Sequence, residues 1–190
     1  MAASPVQVQK RLISVDEYER MVQAGVFAED DRLELIFGEI VAMSPIGAQH
    51  VLVVNRLNNA LVPALSGQAL VSVQNPVRLL DSEPQPDLTL LRLQVEEHPD
   101  SLPLASDVLL LVEVSDTSVE YDRLVKLPLY AAAGIREVWI VDVAEQAVEV
   151  YREPGAGGYR TKRTLGRGDT LAPLAFPGVT LDVTEMLGRR

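Results

Sequence analysis

Two carboxylates and a lysine carry the chemistry that this chain could perform. Asp87 follows Pro86 at the mouth of a short apolar run, and Glu113 interrupts a longer one 26 residues later. Lys126 lies in the segment after that. A carboxylate inside an apolar strand is expensive to bury unless a cation or a donor meets it. Two carboxylates sharing one site repel, which raises one pKa unless a cation fills the gap. Hard oxygen ligands, with water completing the shell, suit Mg²⁺ or Mn²⁺. Such a site supports phosphodiester hydrolysis, with the metal acidifying water and offsetting charge on the phosphate and the leaving oxygen. A lysine beside it would orient the attacking water and offset developing charge.

The elements that must position these residues can be read in outline. Asp107 to Val114 is almost wholly apolar and β-rich, which suits a central strand covered on both faces. Thr117-Ser-Val-Glu120 has the form of a capping box and predicts a helix directly after that strand. Asp122, Lys126 and Tyr130, four apart, fall on one side of it if it is regular. Pro128 must kink or split it, and Gly134 ends it. Arg136 to Val141 returns as a strand, so the unit implies two parallel strands and a right-handed crossover. If Asp87 starts a strand beside Glu113's, the two acids converge at one end of a sheet.

The flanking chain is consistent with one such domain. Residues 1–13 read as an N-terminal arm, and 14–190 as a single domain. Ser14-Val-Asp-Glu17 caps a short helix that ends near Gly25. Arg32 to Phe37 and Glu39 to Met43 alternate about Gly38, a β-hairpin. Taken alone, Glu34 is expected to be an exposed strand residue there. A helix from about Ala48 to Leu65 carries an apolar stripe of Val51, Val54, Leu57, Leu61 and Leu65, with His50 in its first turn. Gln68 to Leu80 reads as one or two strands broken near Asn75-Pro76, and Leu93 to Ser106 as a polar loop. Gln146 to Glu153 and Tyr159 to Leu165 form a second hairpin. It is the most basic region, and Arg160, Lys162 and Arg163 either guard a sheet edge or face DNA phosphates. The tail ends in a helical turn or two.

Composition narrows the class. The chain has 190 residues, 47% hydrophobic and 23% charged, with no cysteine. Disulfides and thiolate metal sites are excluded. The first residues lack the apolar core of a signal peptide, and no run approaches the ~18 apolar residues of a membrane helix. A cytoplasmic protein with no membrane association is expected. A net charge of −10 argues against a general nucleic-acid coat, although bound divalent metal could offset part of it locally.

As a set, the segments LELIFGEIVAMSP, GAQHVLVVNRL, QPDL, LLLVEVSDTS and KLPLYAAAGIREVWIVD resemble the Uma-type (Uma-two) restriction endonuclease family, within the PD-(D/E)xK nuclease superfamily. They span roughly residues 14 to 152. The resemblance implies an α/β (α+β) fold: a restriction-endonuclease-like mixed sheet flanked by helices, with an N-terminal β-hairpin. It implies that Asp87 and Glu113 hold the metal, with Glu34 as an auxiliary ligand and His50 nearby. Ser115 stands where the superfamily's lysine is expected, and the resemblance implies that Lys126 replaces it from the next helix. Ser115 and Asp122 are then expected to support the site. The leading expectation is a Mg²⁺- or Mn²⁺-dependent DNA endonuclease acting as a homodimer. The alternatives are a non-catalytic relative that binds a protein or nucleic acid, and a phosphodiesterase acting on small molecules.

Overall fold

In the chain's first helix, α1 (Val15–Gln23), the Ser14 hydroxyl accepts the Glu17 N–H while Glu17 accepts the Ser14 N–H. This is the reciprocal cap that the spelling predicts. The computed structural model describes residues 10–28 and 30–188. Most of the expected arm lies outside these. Residues 10–13 run along the first hairpin, with the Ile13 N–H donating to the Gly38 carbonyl at 2.9 Å.

That hairpin is β1 (Leu33–Ile36) and β2 (Glu39–Ala42). Its two turn residues, Phe37 and Gly38, both have positive φ, the conformation a tight two-residue hairpin needs. Glu34 is not exposed, contrary to its alternating pattern; it is only 2% accessible. Leu35 packs on Val15 and Tyr18 of α1, and the opposite face, carrying Glu34, is covered by the rest of the domain. Alternation reports that the two faces differ, not that one of them meets water.

Helix α2 (Ala48–Ala64) follows. Its buried stripe is Val53, Val54, Leu57 and Leu61, continued by Leu65. Val51 falls outside it and is 44% exposed. The first turn overhangs a cleft, lined by Gly47 and His50, instead of the sheet. The next strand, β3 (Leu70–Val73), is shorter than its apolar run. The chain turns at Gln74 (φ +52), and Val77 and Leu79 bond back to Pro84 and Ser82.

Strands β4 (Leu88–Leu91), β5 (Val108–Ser115), β6 (Glu137–Asp142), β7 (Ala147–Gly155) and β8 (Gly158–Leu165) complete a six-stranded sheet in the order β3-β4-β5-β6-β7-β8. β5 and β6 are parallel, and every other neighbouring pair is antiparallel. The polar loop between β4 and β5 contains two short 3₁₀ turns, Leu93–Glu97 and Ala105–Asp107. On one face of β5, Leu110, Val112 and Val114 join a core with α2 and the C-terminal helix. On the other, Leu111 packs with Tyr130, Ile135 and Ile140. Glu113 projects to this second face, as strand alternation requires.

The crossover from β5 to β6 departs most from expectation. Ser118, not Thr117, is the N-cap, and no side-chain cap bond forms. The Ser118 hydroxyl donates to Asp122 instead, at 3.0 Å. A short helix α3 (Val119–Tyr121) opens into one wide π turn over Asp122–Lys126 before α4 (Leu127–Ala132). The Leu127 N–H bonds to the Asp122 carbonyl, five residues back. Pro128 has no N–H to give and its ring crowds the preceding turn, which a wider turn relieves. A wide turn takes more residues per revolution than 3.6. Asp122, Lys126 and Tyr130 therefore stay in line, and all three are buried.

The remaining chain closes the first core. β9 (Thr170–Leu171) and β10 (Leu181–Asp182) pair, and α5 (Val183–Leu187) packs against α2. Among the described residues no helix is long and apolar enough to cross a membrane.

Candidate active site

The end of β5 opens into a cleft of ≈ 560 Å³ bordered by the hairpin, the start of α2, the start of β4 and the crossover helix. Asp87 reaches it from the residue before β4. Its Oδ2 accepts the Val114 N–H at 2.8 Å. Its Oδ1 accepts from Gln74 Nε2 at 3.3 Å and lies 2.8 Å from His50 Nε2. Val114 lies two residues past the last pairing of β5 with β4. A strand residue's N–H and C=O point to the same edge, so the Val114 carbonyl faces this gap as well.

Glu113 is 3% exposed. Its Oε1 accepts from the Tyr130 hydroxyl at 2.5 Å and from Lys126 Nζ at 3.3 Å. Lys126 is equally buried, and its second partner is Glu34 Oε2 at 3.1 Å. The Gln85 N–H also donates to that oxygen, at 3.3 Å. The ammonium thus bridges β1 and β5. Burial pushes the Glu113 carboxyl up to about 8; Lys126 opposes this, while the Asp122 and Asp87 charges add to it. Burial pulls the Lys126 ammonium down, but Glu113, Glu34 and Asp122 outweigh it and raise its pKa. Ser115 and Ser118 both donate to Asp122, at 2.7 and 3.0 Å, which fixes the first residue of the π turn.

The donor set fits a hard divalent cation. Glu113 Oε2 and Glu34 Oε1 have no hydrogen-bond partner among the described residues. No three His, Asp or Glu side chains among the described residues form a ready-made cage. Mg²⁺ does not demand one, since it binds through one or two carboxylates together with water and substrate phosphate.

A sequence model described as "Putative restriction endonuclease", that of the Uma2 family, matches residues 15–184. The chain belongs to the Uma2 family. Among solved structures, one described as a putative nuclease belonging to DUF820, from Anabaena variabilis, superposes with a TM-score of 0.72 at 16% identity. The match covers 92% of this chain and 97% of that one. At that identity the likeness shows a shared fold. Among curated proteins, none matches.

This Uma2 member brings together Asp87, Glu113, Lys126, Glu34 and His50, with Asp122 on the same cleft and Ser115 behind it, donating to Asp122. Arg160, Lys162 and Arg163 do not line the cleft. Lys162 is tied to Glu149 at 2.6 Å and sits over the Tyr151 ring. Arg163 pairs in register with Val150 and Lys162 with Tyr151, so the two face opposite sides of the edge strand. Four site residues escaped the reading of the sequence. Tyr130 was visible in the four-residue spacing from Lys126 but carried no chemical signal of its own. Gln74 and Gln85 gave none. Tyr121 lines the cleft with a buried hydroxyl that has no partner among the described residues, and burial, then the Glu34 charge, push its pKa up to about 12.

Proposed function

We propose that this chain is a divalent-metal-dependent endonuclease acting on DNA, with Asp87, Glu113 and Lys126 as its catalytic residues. The observation that carries the reading is the Lys126 ammonium, buried between Glu34 and Glu113 at 3.1 and 3.3 Å beside an open cleft. Burying an ion group of this kind costs more than an apolar packing of the same volume, which favours a chemical role. Lys126 also supplies, from the helix, the lysine that Ser115 does not. Mg²⁺ or Mn²⁺, held by Asp87 and Glu113, would acidify water and neutralise phosphate charge there.

The chain's own residues prepare that step. His50, Gln74 and the Val114 N–H fix the Asp87 carboxylate. Tyr130 and Lys126 fix one oxygen of Glu113 and leave the other toward the cleft. Lys126 offers its remaining N–H to the attacking water or a phosphate oxygen. Glu34 anchors that lysine and lies close enough to serve as an auxiliary ligand. Exposed Arg160 and Arg163 are the remaining candidates for backbone contacts, since Lys162 is engaged. We extend the proposal to a homodimer, because cutting both strands of a duplex calls for two such sites.

One feature favours a second reading. The cleft presents Asp116, Glu120 and Asp122 beside the three site acids, against Arg32 and Lys126 as its cations. A small phosphodiester suits such walls better than a long polyanion. The test is nicking of supercoiled plasmid with Mg²⁺ or Mn²⁺, beside bis(p-nitrophenyl) phosphate, using wild type, Glu113→Ala and Lys126→Ala. Plasmid nicking lost in both variants supports the endonuclease. Turnover of the small ester alone favours the second reading. Nicking that survives in both variants removes these residues from the mechanism.

A further inference from the structure

A second cavity, also of ≈ 560 Å³, shares no lining residue with the acid cleft. It lies between α1, the 76–83 segment and the loop around residues 100–104. Val22, Leu102 and Leu104 give it an apolar wall, and Glu19, Arg78, Glu83 and Asp100 give it charge. Arg78 is already committed, because its guanidinium pairs with both Asp16 and Glu19.

Glu83 is different. It is 7% exposed, and its Oε2 is buried with no hydrogen-bond partner among the described residues. Its backbone is clamped to Leu35 by reciprocal bonds of 2.7 and 3.3 Å, which fixes where the side chain starts. Burial, then the Glu19 charge, push its pKa up to about 7, and Arg78 opposes them. A buried carboxyl oxygen without a donor is costly. Asp16, Glu19, Glu83 and Asp100 outnumber Arg78, so the missing donor is best supplied by a cation. The adjoining wall is aliphatic, so that cation should carry methylene groups.

We propose that this cavity binds an aliphatic ammonium group, with the nitrogen donating to Glu83 and its methylene chain lying along Val22, Leu102 and Leu104. The same chemistry is offered by a free diamine and by a lysine side chain of a protein partner. Calorimetric titration of the full chain at about pH 8, above the Glu83 pKa, tests it. The probes are 1,4-diaminobutane, n-butylammonium and Nα-acetyl-lysine amide, with n-butanol as the neutral isostere.

Saturable binding of an ammonium probe about tenfold or more tighter than n-butanol is expected. Glu83→Gln should weaken it by about tenfold or more, and Leu104→Ser by several-fold. Leu104 is 49% exposed, so that variant should keep the fold. Glu113→Gln, which alters the other cleft, should leave the binding as it is. Preference for the lysine amide would point to a protein partner, and preference for the diamine to a free amine. Lowering the pH to about 6 should weaken binding as Glu83 takes up a proton; Glu19, Asp100 and Arg78 line the same cavity and Asp16 pairs with Arg78, whose guanidinium stays charged, and the Tyr18 phenol stays neutral. No preference over n-butanol, or equal binding by a folded Glu83→Gln variant, would overturn the proposal.

Discussion

Glu113 holds two tasks in tension. Its pKa stands at about 8 in the folded chain against 4.5 for a free carboxyl. Between those values the folded state binds more protons than the unfolded one, so stability falls as pH rises through this window. Glu113→Gln should flatten that slope and raise the melting temperature near pH 8 while abolishing cleavage. Melting curves from about pH 5 to about pH 9 check it. A variant whose slope matches wild type would show that burial of Glu113 does not govern the titration. His50 belongs to the same scale. It lies 2.8 Å from Oδ1 of Asp87, the carboxylate proposed to hold the metal, and partners that orient such a ligand are worth about 10–100-fold in metal affinity. His50→Ala should weaken Mn²⁺ binding by that factor in calorimetry, with little change in the melting temperature. The residue scale is also where the sequence was hardest to read. Asp87 and Glu113 could be found because each stands against an apolar strand. Glu34 came only through the family resemblance; its own alternation pointed to solvent, because it is buried beside Lys126, a residue remote in sequence.

The element that decides the site is the crossover helix. A regular helix would let Asp122, Lys126 and Tyr130 drift around its axis. The π turn holds them in line, so the lysine reaches Glu113 from a helix instead of from the strand. Pro128 favours that turn by withholding an N–H. Pro128→Ala should let the turn tighten toward α-helix, gain stability, and lose activity by about tenfold, through a shift of Lys126. Thermal melts and initial rates on the same samples separate the two effects; unchanged activity would mean that the turn stands without the proline. The sequence disclosed that the helix must break at Pro128, but not that the break would be a wide turn. It also suggested a capping box at Thr117–Glu120 that does not form. Ser118 is drawn to Asp122, and in this helix that buried acceptor outcompetes an exposed cap.

At the scale of the molecule, several strand pairings were legible, though not the order of all six strands. Strand–helix–strand spacing fixed β5 and β6 as parallel, and turn residues fixed the two hairpins. The limit of β3 was not legible, because the chain after it is held by contacts of residues 77–79 to Ser82, Pro84 and Pro103; the 3₁₀ turns after β4, closed by local bonds such as Asp107 N–H to the Leu104 carbonyl, gave no periodic signal. A whole-molecule charge of −10 bears on function as well. If the substrate is DNA, metal must lower the electrostatic barrier around the cleft. Filter binding should then show DNA affinity at least about tenfold higher in Mg²⁺ than in EDTA, using Lys126→Met to prevent turnover. Equal affinity in both would place the DNA elsewhere on the surface.

The central claim, that Lys126 acts from the helix beside a metal held by Asp87 and Glu113, is tested most directly by pairing two readings on Lys126→Met. One is the single-turnover rate of plasmid cleavage, and the other is Mn²⁺ binding by calorimetry. We expect cleavage to fall on the order of 10²-fold or more while the protein stays folded and still binds Mn²⁺. Cleavage at the wild-type rate by that variant would contradict it.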